Sequence, residues 1–191
     1  DNTEIEKQYS FHLPPINEYR IVFIGRLIAS KKIEILVEYY QKLKRIIPNL
    51  KLDIIGDGPE KTIVEHALKE NEDIHWHGTL VDEAKIAPIM ERASVVFIPG
   101  HSGLSINHAF AYGRPYVTLQ GASHAPELEY IEEGSNGYVL KDDIDSNIKT
   151  IENLLINRSV LEQFCKKAKQ KGVELSVQNW VRQLRTSLLD E

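Results

Sequence analysis

Arg20-Ile21-Val22-Phe23-Ile24-Gly25-Arg26-Leu27 is the stretch that decides the fold. An apolar run that ends in glycine reads as a strand buried on both faces, the signature of an interior strand in a parallel sheet. Working outward, the same signature recurs at 50–55 before Gly56-Asp57-Gly58-Pro59, at 74–77 before Gly78, at 94–99, at 114–119 and at 137–140. The intervals carry helical periodicity. Ile33, Leu36, Val37, Tyr40, Leu43 and Ile47 recur at helical spacing until Pro48 stops them. Pro59 suits the first turn of a helix running to about Glu70. Asp82 is placed to cap a helix to Arg92. Further helices are expected over 104–112, as a single turn over 127–132, and over 144–155, 159–171 and 176–189. Strands that alternate with helices predict an α/β fold: a Rossmann-like parallel sheet of about six strands, with helices on both faces. The polar stretch 1–19, with Pro14 and Pro15, reads as a linker or arm, and 20–191 as one domain.

Length and composition agree with that reading. The chain has 191 residues, close to the roughly 150 of one domain. Its hydrophobic content of 42% and charged content of 27% are those of ordinary globular chains. A formal net charge of −5 argues against a nucleic-acid binder. One cysteine, Cys165, excludes an internal disulfide and fits a cytoplasmic location. No apolar run approaches the roughly 20 residues of a transmembrane segment. The first residue is Asp1, which reads as a piece of a longer protein.

In parallel sheets ligands bind at the carboxyl ends of the strands, so the loops there should carry the chemistry. Pro99-Gly100-His101-Ser102-Gly103-Leu104-Ser105 joins a buried strand to a helix. Glycines let backbone approach a ligand, and the unpaired amides of a helix start favour an anion. Arg26, Lys31 and Lys32 follow the first strand. Arginine forks across two phosphate oxygens and lysine supplies a point charge. Cations oppose the dipole at a helix start, so their presence there points to an anion held between the two loops. His75 and His77 have no third ligand near in sequence, so no metal is expected. No Gly-x-Gly-x-x-Gly follows the first strand, which disfavours a dinucleotide oxidoreductase.

Five stretches, in this order and spacing over residues 20–140, resemble the donor-binding, carboxyl-terminal domain of retaining GT-B glycosyltransferases of the group 1, family 4 type. They are Gly25-Arg26-Leu27 with Lys31; Ile54-Ile55-Gly56-Asp57-Gly58-Pro59; His75-Trp76-His77-Gly78; Gly103-Leu104 through Ala109-Phe110-Ala111-Tyr112-Gly113-Arg114-Pro115; and Glu132-Glu133-Gly134-Ser135-Asn136-Gly137-Tyr138. The resemblance implies a nucleoside-diphosphate-sugar donor and no cofactor. It also implies an acceptor-binding amino-terminal domain outside this sequence, through which a peripheral membrane association could run. It places the donor phosphates on Gly25, Arg26, Lys31, Gly103, Leu104 and Ser105. Base and ribose fall to His77, Gly78 and His108. Gly100, His101, Ser102 and Glu127 lie near the sugar. Lys32 falls where the family usually has glycine.

The sequence departs from the family at two places. The family carries two glutamates with seven residues between them, the first contacting the sugar and the second the ribose. Gly100 and His108 stand there instead. Neutral histidine can still hold a ribose, accepting one hydrogen bond and donating another. The expected function is therefore donor binding for sugar transfer to a polysaccharide, lipid or other acceptor. The alternatives are a non-catalytic nucleotide-sugar-binding module and a GT-B type epimerase. His101, His108 and His124 each have a purely structural reading as well, and Val177, Trp180, Val181 and Leu184 read as a packing stripe.

Overall fold

The computed structural model describes residue 5 and residues 9–121, 123–141, 143–179 and 181–182. The apolar run at the head of the chain forms β1 (Tyr19–Ile24), with Ile21, Val22 and Phe23 fully buried. Five further strands join it: β2 (Leu50–Ile55), β3 (Ile74–Trp76), β4 (Val95–Phe97), β5 (Tyr116–Leu119) and β6 (Gly137–Leu140). Six helices connect or follow them: α1 (Ile33–Ile46), α2 (Lys61–Glu70), α3 (Glu83–Arg92), α4 (Ser105–Ala111), α5 (Ile144–Ile156) and α6 (Arg158–Glu174). Short 3-10 turns lie at Ala29–Lys31 and Pro126–Tyr130. No described helix is long and apolar enough to cross a membrane.

All strand pairings are parallel, in the order β3-β2-β1-β4-β5-β6. The chain builds one half of the sheet outward from β1, then returns to lay β4 on its other side. Adjacent loops leave β1 and β4 in opposite directions, which opens a crevice between them at the carboxyl edge. The two loops singled out for an anion are the ones that flank this switch point.

Helix ends are set by specific residues. Asp82 accepts from the Ala84 amide at α3, and Asp143 and Asn157 cap α5 and α6. Gly113 ends α4 with a left-handed φ of 66°, and a side chain there would also strike Phe11. Arg114, 1% exposed, donates to the carbonyl oxygens of Met90, Glu91 and His12. It thus caps α3 and pins the amino-terminal stretch. The described part of that stretch lies on the domain: Ile5 is buried in the core, and Tyr9 packs against Tyr112. Residues 177–179 and 181–182 are helical. Trp180, Leu184 and most of the helix expected over 176–189 lie outside the described residues.

Candidate functional site

The loops after β1 and β4 are laced together. The His101 amide donates to Ser30 O at 2.7 Å, and Lys31 Nζ donates to His101 O at 2.5 Å. Gly100 is the closest point. A Cβ there would lie 2.0 Å from Ser30 O and 2.7 Å from the Lys31 Cα, so no side chain fits. The ammonium of Lys31 is therefore held between the two loops, where the sequence expected an anion. Burial draws its pKa below the ordinary lysine value. Arg26 is exposed, its carbonyl accepts from the Ile28 amide, and its guanidinium makes no hydrogen bond or ion pair among the described residues. Leu27, fully buried, anchors the loop, and its amide and carbonyl bond Asp57 O and the Glu60 amide.

The glycine loop is held from below. Ser102 is fully buried, with its hydroxyl between Gly100 O, Thr118 Oγ1 and Tyr116 Oη. Tyr116 also shares a hydrogen bond with Ser105 Oγ at 2.8 Å. Burial pushes the Tyr116 phenol up to about 12, so it stays a donor at neutral pH. His124 accepts from the Ser102 amide and donates to Leu119 O, while His101 Nδ1 meets Ser123 O. These imidazoles fix the loop. No side chain caps α4, and Leu104 is 74% exposed. Ser102 thus offers the crevice only backbone, while Gly103, Leu104 and Ser105 stand at its wall.

Glu127 lies in the 3-10 turn beside α4, and its Oε2 is buried with no hydrogen-bond partner among the described residues. His77 ends the strand region as expected, but its ring turns back onto the sheet. Nε2 lies 2.7 Å from Asp53 Oδ1, and Asp53 in turn pairs with Arg20. Gly78 is backbone-linked to Gly56, whose carbonyl also receives Trp76 Nε1 at 2.7 Å.

Beyond Leu104 and Ser105 a cavity of about 540 Å³ opens between α3, α4 and the chain after α6. Its volume falls within the range of small-molecule sites, roughly 300–1,000 Å³. Leu80, Val81, Leu104 and Leu175 give it apolar walls, and Glu83 and His108 line it side by side. His108 Nε2 lies 2.8 Å from Glu83 Oε1, and Tyr112 donates to Glu83 Oε2 at 2.6 Å. Burial opposes the Glu83 charge, but the bonds from His108 and Tyr112 outweigh it and hold the carboxyl below its ordinary value. Burial and the Glu83 carboxylate both raise the Tyr112 phenol. Sequence reading missed Glu83 and Tyr112. Glu83 follows the cap Asp82 and looks like a helix-dipole residue, and nothing local ties it to His108, 25 residues away.

A doubly wound parallel sheet with cations and a glycine loop at its switch point, beside a half-apolar cavity, defines a Rossmann-like ligand-binding domain. The family description "Glycosyl transferases group 1" matches residues 18–157, and the chain belongs to that family. It is 26% identical over 176 residues to a poly(glycerol-phosphate) alpha-glucosyltransferase of Bacillus subtilis, covering 87% of this chain and 25% of that protein. It is 22% identical to an alpha-monoglucosyldiacylglycerol synthase of Acholeplasma laidlawii, covering 91% of this chain and 44% of that one. The chain thus spans between a quarter and a half of these two relatives. Among solved structures, a mutant of S. aureus TarM in complex with fondaparinux, alpha-GlcNAc-glycerol and UDP superposes with a TM-score of 0.75. That match has 20% identity and covers 96% of this chain and 38% of that one. The C-terminal domain of a group 1 glycosyl transferase (LpcC) from Francisella tularensis gives a TM-score of 0.69 at 18% identity, covering 85% and 87%. The fold is that of the C-terminal half of a GT-B glycosyltransferase.

Proposed function

We propose that this chain is the donor-binding half of a glycosyltransferase. It holds a nucleoside-diphosphate hexose, of the uridine or guanosine type, for transfer with retention to a polysaccharide, lipid or other acceptor in bacterial cell-surface glycan synthesis. The observation that carries the reading is the Lys31 ammonium bonded to His101 O in the glycine loop, with the exposed Arg26 earlier in the same β1 loop, at the switch point between β1 and β4. Cleaving such a donor builds negative charge on the departing diphosphate. Cations and helix-start amides at this edge would stabilise that charge, Lys31 from a place already fixed between the loops. Gly25 and Gly100 keep side chains out of the way. His101 and Glu127, neither of them in the cavity lining, fall to the sugar, and the buried Glu127 Oε2, without a hydrogen-bond partner among the described residues, supports a ligand there. Gly78, beyond the end of β3, falls to the base and His108, in the cavity lining, to the ribose side, with His77 bracing the strand end through Asp53.

The acceptor half, contributed by chain outside this sequence, would close the crevice in the cytoplasm and make any membrane contact. This chain alone then binds the donor and transfers nothing. A thermal-shift panel of nucleotide sugars tests the reading: stabilisation by at least one uridine or guanosine diphosphate sugar is expected. No stabilisation by any nucleotide sugar contradicts it.

A further inference from the structure

Glu83 sits in the cavity with its carboxylate fixed from behind. His108 Nε2 holds one oxygen at 2.8 Å and Tyr112 Oη the other at 2.6 Å. His108 in turn stacks edge-on against Tyr112, so the three side chains lock one another. A carboxylate offers about four acceptor positions, and these bonds take two. The remaining two lie one on each oxygen. Two hydroxyl donors on adjacent carbons match that arrangement, because they can reach the two oxygens side by side.

The surroundings select that chemistry over others. Among the described lining residues Glu83 is the one acid, and there is no lysine or arginine. A phosphate entering here would meet the Glu83 carboxylate, with no lysine or arginine among the described lining residues and with the His108 ring already bonded to that carboxylate. Val81 and Leu104, 88% and 74% exposed, bring apolar surface to the same lining. A planar base fits such walls. The cations Arg26 and Lys31 lie outside the cavity lining, Lys31 bonded to His101 O in the glycine loop. The acidic group thus lines the cavity and the two loop cations do not.

We infer that Glu83 is the specificity-determining residue that receives the vicinal diol of the nucleotide's ribose, with His108 and Tyr112 as positioning residues that hold its carboxylate. The inference rests on the nucleoside-diphosphate reading above. Glu83 then does two things: it accepts both ribose hydroxyls, and by repelling phosphate it sets which end of the nucleotide enters the cavity.

The test is calorimetric binding of the 191-residue chain. Uridine, guanosine, adenosine and cytidine diphosphate are screened, and the tightest is compared with its 2′-deoxy counterpart. A hydrogen bond to a charged group implies a ribo-to-deoxy affinity ratio of about ten or more for the native chain. Glu83→Ala should bring that ratio to about one. Glu83→Gln should leave it in between, with both variants melting cooperatively. If Glu83→Ala does not fold, the near-isosteric Glu83→Gln decides on the same ratio. A native ratio near one, or a ratio unchanged in the deciding variant, overturns the inference and places the diol, if any, on another group such as the transferred sugar. Failure of all four diphosphates to bind the folded chain overturns instead the reading on which it rests.

Discussion

Lys31 Nζ donates to the carbonyl oxygen of His101 at 2.5 Å, a side-chain bond that, with the His101 amide on Ser30 O, spans the two loops flanking the switch point. Arg26, earlier in the same loop, spans nothing among the described residues. The two cations therefore separate experimentally. Arg26→Ala should weaken nucleoside-diphosphate binding about tenfold to a hundredfold, as for loss of a charge-assisted hydrogen bond, and leave the melting temperature unchanged. Lys31→Ala should weaken binding similarly and also lower the melting temperature. Nucleoside affinity should hold in Arg26→Ala. Equal losses for nucleoside and diphosphate would show that Arg26 grips something other than phosphate.

Gly100 carries a second prediction. Backbone of Ser30 and Lys31 occupies the space of any Cβ there. Gly100→Glu, which would restore the family's residue, should therefore destabilise the domain by about 2 kcal/mol or more, because overpacked backbone must move. Urea unfolding measures it, and an unchanged midpoint would mean that the loops part easily.

Lys32 has φ 55°, in the left-handed region, just before α1. A side chain in that conformation costs about 1–2 kcal/mol. Lys32→Gly should raise stability by about 1 kcal/mol or less once the greater freedom of unfolded glycine is counted. A drop in stability would show that the Lys32 side chain makes a contribution larger than the strain.

Cys165 is fully buried, and burial pushes its thiol up to about 11 despite the neighbouring Arg114. At pH 8 the thiolate is scarce and enclosed, so the native chain should resist an aromatic disulfide reagent and the urea-unfolded chain should react at once. Rapid reaction of the native chain would place Cys165 at an accessible surface.

The legible part of the fold was what short range dictates. The unbroken apolar run Ile21–Ile24 marked β1, the apolar-rich stretch running into Gly56 marked β2, and helical periodicity ended by Pro48 marked α1, because those signals lie within one element. The site's loops were legible for the same reason: each hangs from the end of a readable strand. Side-chain direction was not. His77 lies at the strand end, yet its ring is drawn back by Asp53, a partner set by the β2–β3 register. Ser102 sits in the glycine loop, yet its hydroxyl is buried against Thr118 and Tyr116. Ile5 and Phe11 look solitary in a polar arm, but the folded domain presents a surface for them. Glu83 and His108 meet only because α3 and α4 flank the same cavity.

The central claim is that the crevice between β1 and β4 binds the diphosphate of an activated sugar. Isothermal calorimetry of the folded chain with uridine and guanosine diphosphate tests it most directly. Saturable binding of one equivalent of at least one of them, weakened at least about tenfold by Arg26→Ala, is the predicted result. A folded chain that binds neither, or that binds equally well without Arg26, would contradict it.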